Sequence, residues 1–236
     1  MEKLIYPVWK NDHLEGDDFR QVLREQLAPR LLEQAGVRGL RLGVVDSDVA
    51  PAARRRIENG CPVPDGVVSL WVDNAGARGS WEELLGQHVS RFAGYLVTEA
   101  EPLVNTDHIS EPGQRGHGMY QVVFMQRPPR LSQEQWLEIW QGSHTRVAID
   151  TQSTFGYRQN VVVRPLTYGA PVYSAMVEEY FPPGAMDSDP VFYAAEDEQT
   201  LQANMQAMME SCARFIDFDK LDCIPMSEYL IRPAAP

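Results

Sequence analysis

The pattern of apolar and polar positions divides the chain into eight strand-like runs and four helix-like ones. EKLIYPVWK (residues 2–10) reads as a strand. DDFRQVLREQLAPRLLEQAG follows, with apolar positions at helical spacing, acidic residues at its start and Gly36 at its end, the signature of an amphipathic helix. GLRLGVV (39–45) and GVVSLWV (66–72) read as strands, SWEELLGQHVSRF as a helix capped by Ser80, and YLVTEAEPL (95–103) as a closing strand. The remainder repeats that order: strand GMYQVVFM, helix SQEQWLEIWQGSHTRVAID capped by Ser132, strands GYRQNVVV and YSAMVEEYF, helix DEQTLQANMQAMMESCARFI and strand MSEYLIR. Each part is βαββαβ.

The two parts also align in register. GLRLGVV (39–45) lies over GYRQNVV (156–162) at an offset of 117 residues, and the same offset places KLIYPVWK over YQVVFMQR and FRQVLREQLAPRLLEQ over WLEIWQGSHTRVAIDT without a gap. The expected fold is therefore α+β, built as two ferredoxin-like βαββαβ repeats. The first occupies residues 1–104 and the second 119–236, with NTDHISEPGQRGHG (105–118) as a polar, turn-rich linker. Two sheets with helices on one face each leave the other faces bare. Packing those faces together gives a dimeric-α+β-barrel-like arrangement.

The register exposes a chemical asymmetry. Trp136, Trp140 and His144 follow each other at four-residue spacing and share one helix face. They stand opposite Phe19, Leu23 and Leu27. On the next strand Tyr157, Gln159 and Asn160 stand opposite Leu40, Leu42 and Gly43, while Arg158 is matched by Arg41. A lone histidine on an apolar face is ordinarily a core residue satisfied by a backbone carbonyl. Its arrival together with a phenol and carboxamides in one repeat instead resembles a pocket with a few convergent polar groups. His144, Tyr157 and Asn160 are the candidate catalytic residues; Trp136, Trp140, Arg158 and Gln159 are candidate substrate contacts.

Composition narrows the partners. The 236 residues are 44 % hydrophobic, with 33 acidic against 21 basic side chains and a net charge of −12. Nucleic acid and anionic membrane surfaces would repel such a chain, so neither is an expected partner. The longest apolar runs fall far short of the roughly 20 residues a membrane span needs, and the first residues carry no apolar leader, so a cytoplasmic location is expected. Cys61, Cys212 and Cys223 are read as reduced thiols. Arg54-Arg55-Arg56 reads as a solvated helical turn, the two Asp-Ser-Asp triplets (46–48 and 187–189) as turns, and Met205, Met208, Met209 and Cys212 as an adaptable core stripe. Glu99 and Glu101 alternate on a strand and read as a solvated face. His13, His88, His108 and His117 lack a ligand-spaced companion, so no metal is expected. No phosphate loop, dinucleotide fingerprint or nucleophile elbow occurs.

LSQEQWLEIWQGSHTRVA followed by FGYRQNVV resembles the EthD family of the dimeric α+β barrel superfamily, over residues 119–236. The first half departs from that pattern at the positions matching His144, Tyr157, Gln159 and Asn160. The resemblance implies a barrel and, loosely, a cofactor-free decarboxylase or dehydratase chemistry on aromatic or cyclic ketones and phenols. His144 would then be the general acid/base, an imidazole with a pKa near neutrality. Tyr157 or Asn160 would stabilise an enolate or phenolate oxygen, and the tryptophans would form a flat wall. Two alternatives stand beside this one. The first is a haem-binding barrel with His144 as axial ligand, since chlorite dismutases and dye-decolourising peroxidases also carry two such repeats. The second is a non-catalytic small-ligand or stress protein. No cofactor is expected, the partner is a small molecule, and a homodimer is expected because the family associates through its sheets.

Overall fold

All eight apolar runs form strands, and they share one sheet. The computed structural model describes residues 1–59 and 62–234; Cys61 lies outside the described residues. The strands are β1 (Glu2–Trp9), β2 (Val37–Val44), β3 (Gly66–Val72), β5 (Tyr95–Leu103), β6 (Met119–Met125), β7 (Gly156–Pro165), β8 (Ala175–Phe181) and β9 (Leu221–Arg232). A two-residue β4 (Arg91–Phe92), absent from the sequence reading, pairs antiparallel beside the last residues of β1. The order is β3-β2-β9-β6-β8-β7-β5-β1, and β1 pairs back onto β3, so the eight long strands close an antiparallel barrel within one chain. Closure leaves none of these eight strands as a free edge.

Within each half the strands lie in the order fourth, first, third, second: β5-β1-β3-β2 and β9-β6-β8-β7. The halves join through β2 against β9 and β7 against β5. Four helices cover the outside, at 16–32, Gly79–His88, 133–151 and Glu198–Ala213. The first helix of each half is interrupted by a π-turn, Val22–Leu27 in one and Glu138–His144 in the other. Both turns occur at the same register, because Ala28 N–H donates to Leu23 O and Thr145 N–H to Trp140 O. π-turns re-aim side chains and recur at functional sites.

Among the described residues three large apolar clusters result, beside a smaller one that includes Val49, Phe181 and Phe192. Leu4, Leu23, Leu27, Leu40, Leu42 and Leu70 pack beneath the first half's helices. Trp136, Trp140, Tyr157, Val177 and Phe215 pack beneath the second half's. The third cluster, with Ile5, Tyr95, Val122, Phe124, Met176 and Ile224, draws on both halves and fills the barrel. The barrel also holds a charged network: Lys3 lies 2.6 Å from Glu99 and 2.7 Å from Glu178, and Arg41 lies 2.9 Å from Glu178 and 2.8 Å from Glu228. Arg158 pairs with Glu101 at 2.6 Å. Glu99 and Glu101 are exposed, as expected of a solvated face, and in addition they pair with buried Lys3 and half-buried Arg158. Gly43 makes room for this interior, since a Cβ there would meet the Tyr120 ring at 2.7 Å.

The connector between β5 and β6 runs along β9, with Gly113 N–H donating to Leu230 O and Gly116 N–H to Glu228 O, both at 2.7 Å. The Arg54–Arg56 segment is more than a solvated turn. Arg54 and Arg55 end a 3-10 helix, Ser47–Arg55, which Arg56 follows as C-cap, and the Arg55 guanidinium reaches Ala185 O and Ser188 O at 3.1 Å and Asp189 at 2.7 Å. Both Asp-Ser-Asp triplets sit at helix starts, where Ser188 caps Asp189–Phe192.

Candidate active site

Between the second half's sheet and its helices lies a cavity of about 120 Å³. Its floor is β6, β7 and β8, which contribute Gln121, Tyr157 and Glu179; its walls are Trp140 and His144 from one helix and Met208 and Cys212 from the other. Phe215 and Ile216 close one side, and Ile57 reaches in from the first half. His144 is the last residue of the π-turn and is buried. Thr145 locks that turn, donating its hydroxyl to Trp140 O at 2.9 Å and accepting from Gln159 Nε2 at 2.6 Å.

The His144 ring packs against Phe215 at 4.6 Å between centroids, and its Nδ1 faces the Ser211 hydroxyl at 2.9 Å. Its partner is therefore a side-chain hydroxyl and not the backbone carbonyl of an ordinary core histidine. Nε2 makes no hydrogen bond among the described residues. Burial, assisted by Arg214, pushes the imidazole down to about 4. His144 is neutral at pH 7, and the near-neutral pKa expected of it does not hold, because desolvation disfavours the imidazolium.

Glu179 supplies what His144 lacks. Its carboxyl is buried with one hydrogen bond, from Gln121 Nε2 at 3.1 Å, and burial pushes it up to about 7, the Gln121 bond only partly opposing. A buried carboxyl titrating near neutrality beside a half-enclosed cavity is poised for proton transfer in either direction. Tyr157 pairs across the sheet with Glu179, and its hydroxyl accepts from Trp140 Nε1 at 3.2 Å, leaving its own proton to donate. Burial first, then Glu179, raises the Tyr157 phenol, so it remains a donor. Burial and Glu179 likewise raise the Cys212 thiol to about 12, so it is no nucleophile.

The strand alternation divides the residues named from the sequence. His144, Tyr157 and Trp140 line this cavity; Trp136 packs beside Trp140 at 5.3 Å and donates to Phe215 O at 3.1 Å, and Gln159 holds the π-turn. Arg158 and Asn160 point to the opposite face of β7, inside the barrel. There Asn160 Nδ2 donates to Glu178 at 3.0 Å and Arg158 bonds Tyr180. Asn160 therefore cannot assist chemistry at His144, because residues one apart on a strand face opposite ways. Glu179 and Gln121 were missed. Their signal was present: two glutamates interrupt the apolar run AMVEEYF, and Gln121 stands opposite Leu4 at the 117-residue offset.

Neither a family model nor a curated protein matches the sequence. Solved structures do resemble the fold. An anthrone oxidase-like protein aligns over 98 % of this chain and 91 % of its own with a TM-score of 0.51 and 9 % identity. A dye-decolorizing peroxidase from Bacteroides thetaiotaomicron VPI-5482 aligns over 98 % and 93 % at a TM-score of 0.47 and 9 % identity. A protein described as a chlorite dismutase aligns over 99 % and 96 % at 0.48 and 11 %. The fold is that of the dimeric α+β barrel proteins. At such identities the likeness extends to the fold alone.

The haem alternative is tested by the residues present. An axial imidazole needs an open flat slot, with cations for the propionates. His144 is 4 % exposed, wedged between Ser211 and Phe215, and no lysine or arginine lines its cavity among the described residues. The site does not fit the group. Among the described residues no cluster of three or more His, Cys, Asp or Glu could hold a metal ion, and no helix is long and apolar enough to cross a membrane.

Proposed function

We propose that the chain is a cofactor-independent enzyme of lyase or isomerase type acting on a small aromatic or cyclic ketone or phenol. One observation carries the reading: His144, Tyr157 and Glu179 line a single cavity in the second half. At the matching places the first half has Leu27, Leu40 and Leu70, all fully buried. In this mechanism ionised Glu179 takes a proton from the carbon beside a carbonyl, and the C–H electron pair moves onto the oxygen as an enolate. The Tyr157 hydroxyl donates to that oxygen. The proton on Glu179 then returns to carbon or oxygen, completing a tautomerisation, or passes to a departing β-hydroxyl, which leaves as water. His144 is the second acid/base group, presenting a lone pair or an N–H at Nε2 according to the tautomer that Ser211 selects. Trp140 and Phe215 form the flat wall.

The test is solvent-deuterium exchange into an enolisable cyclic ketone, 2-tetralone, followed by NMR. The wild type accelerates exchange above buffer with an inflection near pH 7. Glu179→Gln loses roughly 10²- to 10⁴-fold of that rate together with the inflection. His144→Ala retaining full rate would remove the histidine from the mechanism. Equal rates in wild type and buffer would leave the alternative of a non-catalytic ligand-binding protein.

The same reading takes the halves as tandem ferredoxin-like repeats, 1–104 and 119–236 joined by 105–118, with the second resembling the EthD family. Their identical strand order and the π-turns at one register support it. A homodimer and a cytoplasmic location belong to the proposal too. Sedimentation reads the former, and a monomer would leave the cavity intact, since one chain supplies every lining residue.

A further inference from the structure

The cavity beneath the second half's helices has one wall that the second half does not supply. Ile57 lies in the connection from β2 to β3, which spans residues 45–65, against 166–174 for the connection from β7 to β8. The extra length carries the chain past the end of β2. There β9 has a free side, because β2 pairs with it only from Ser227 onward. Ile57 takes that side, exchanging N–H···O bonds with Cys223 at 2.9 Å each way. Asn59 fastens the chain two residues on, its N–H donating to Asp222 Oδ1 and its Nδ2 to Leu221 O, both at 2.8 Å. The Ile57 side chain therefore stands at a fixed place beside the cavity.

The lining is polar within and apolar at the opening. Gln121, His144, Tyr157 and Glu179 are all buried. Ile57, at 40 % exposure, is the one exposed residue of the lining among the described residues, and Val123, Met208 and Ile216 are half-buried. These four apolar side chains form the rim. Size adds a second constraint: about 120 Å³ is room for a single six-membered ring, since an apolar cavity of about 150 Å³ holds one benzene. A larger ligand fits only by leaving its remainder at the opening, where it meets the apolar rim.

We infer that Ile57 is a specificity-determining residue: the preferred substrates are fused two-ring ketones or phenols that enter polar ring first and leave the apolar ring against Ile57. The inference rests on the cavity being the site proposed above, and it narrows the substrate class from small cyclic ketones and phenols to bicyclic ones. It also gives the first half a part in the site, since the contact comes from that half's own connection. A contact of this kind adds affinity in proportion to the apolar area it covers, whereas a one-ring ligand, held wholly inside, gains nothing from it.

Calorimetric titration with cyclohexanone and 2-tetralone tests it. The wild type binds 2-tetralone more tightly by on the order of tenfold or more, because only the second ring reaches the rim. Ile57→Ala weakens 2-tetralone by about fivefold and leaves cyclohexanone within about twofold of its wild-type affinity. In wild-type protein carrying isotope-labelled isoleucine methyls, the Ile57 δ-methyl shows a nuclear Overhauser effect to the aromatic protons of bound 2-tetralone, and this reading decides if Ile57→Ala does not fold. Equal affinities for the two ketones, an equal loss for both in the variant, no binding of 2-tetralone, or absence of that Overhauser effect would each overturn the inference. Binding is read without turnover, so exchange no faster than in buffer with the ring preference intact sinks the proposed mechanism alone, and exchange above buffer with no ring preference sinks this inference alone.

Discussion

Beneath the helices of the two halves lie two layers of one design and opposite chemistry. In the first, Leu4, Leu27, Leu40, Leu42 and Leu70 are all 0 % exposed and interlock. The strand registers place Gln121, Tyr157, Gln159 and Glu179 at the corresponding positions of the second, and the matching π-turns place His144 there. The first layer shows that the fold needs no polar group there. The second therefore retains five polar side chains and open space at a cost in stability. Glu179 alone measures part of that cost: holding its carboxyl up at about 7 by burial works against the folded state by on the order of 3 kcal/mol once the solution is above pH 7. Retention of a destabilising group at one of two equivalent places is what a site looks like and what a core does not.

The widest break in the comparison comes from writing the second layer's chemistry into the first. Leu70→Gln puts a carboxamide at the place matching Glu179, where the surrounding leucines offer no partner and no cavity. It should cost about 4 kcal/mol in urea unfolding, from lost apolar contacts and a stranded amide. A cost under 1 kcal/mol would mean that the first layer tolerates polarity, and the asymmetry would lose its meaning.

The reverse substitution should act with the opposite sign. Glu179→Leu at pH 8 removes a buried carboxylate and should stabilise the protein by about 3 kcal/mol while abolishing 2-tetralone exchange. The pH dependence sharpens this. The folded state binds Glu179's proton more tightly than the unfolded state, so this group makes stability fall as pH rises from 4.5 to about 7. His144 is lowered from 6.5 to about 4, so it makes stability rise between those values. In the wild type the two slopes oppose one another over most of that window. His144→Leu should unmask the falling slope and Glu179→Gln the rising one. Parallel pH curves for the two variants would show that the groups do not titrate as assigned.

Much of this asymmetry was legible before any coordinates, and what was not has identifiable causes. Eight strands and four helices follow from periods of two and 3.6, and the 117-residue offset pairs Leu27 with His144 and Leu40 with Tyr157. Asn160 was grouped with Tyr157 because the two are close in sequence, but an odd spacing on a strand sends it into the barrel. Glu178 and Glu179 show the same rule from the other side. Burial acts against the charge on Glu178, yet Lys3, Arg41 and Arg158 outweigh it and hold that carboxyl well below the usual range, whereas Glu179 faces Gln121 alone and is raised. Sequence supplies the pair of glutamates; only the closed barrel decides which one meets three cations. The π-turns were also hidden, since a one-residue change in helical hydrogen bonding leaves no trace in apolar spacing.

The smallest expected effect concerns that π-turn. In both halves it places the last residue over the sheet, but only the second half ties it down with side chains, through Thr145 and Gln159. At the positions matching these two the first half has Ala28 and Leu42, and its turn persists without such bonds. The π-turn is thus a property of the fold, and the added bonds serve the orientation of His144. Thr145→Val should therefore cost only about 2 kcal/mol of stability, from two lost hydrogen bonds with Gln159 Nε2 left buried, while loosening the imidazole beside Ser211. The 2-tetralone rate should fall several-fold with the pH inflection of Glu179 unmoved. A large loss of stability with an unchanged rate would instead make Thr145 a structural clamp, and the second half's turn would differ from the first in strength and not in purpose.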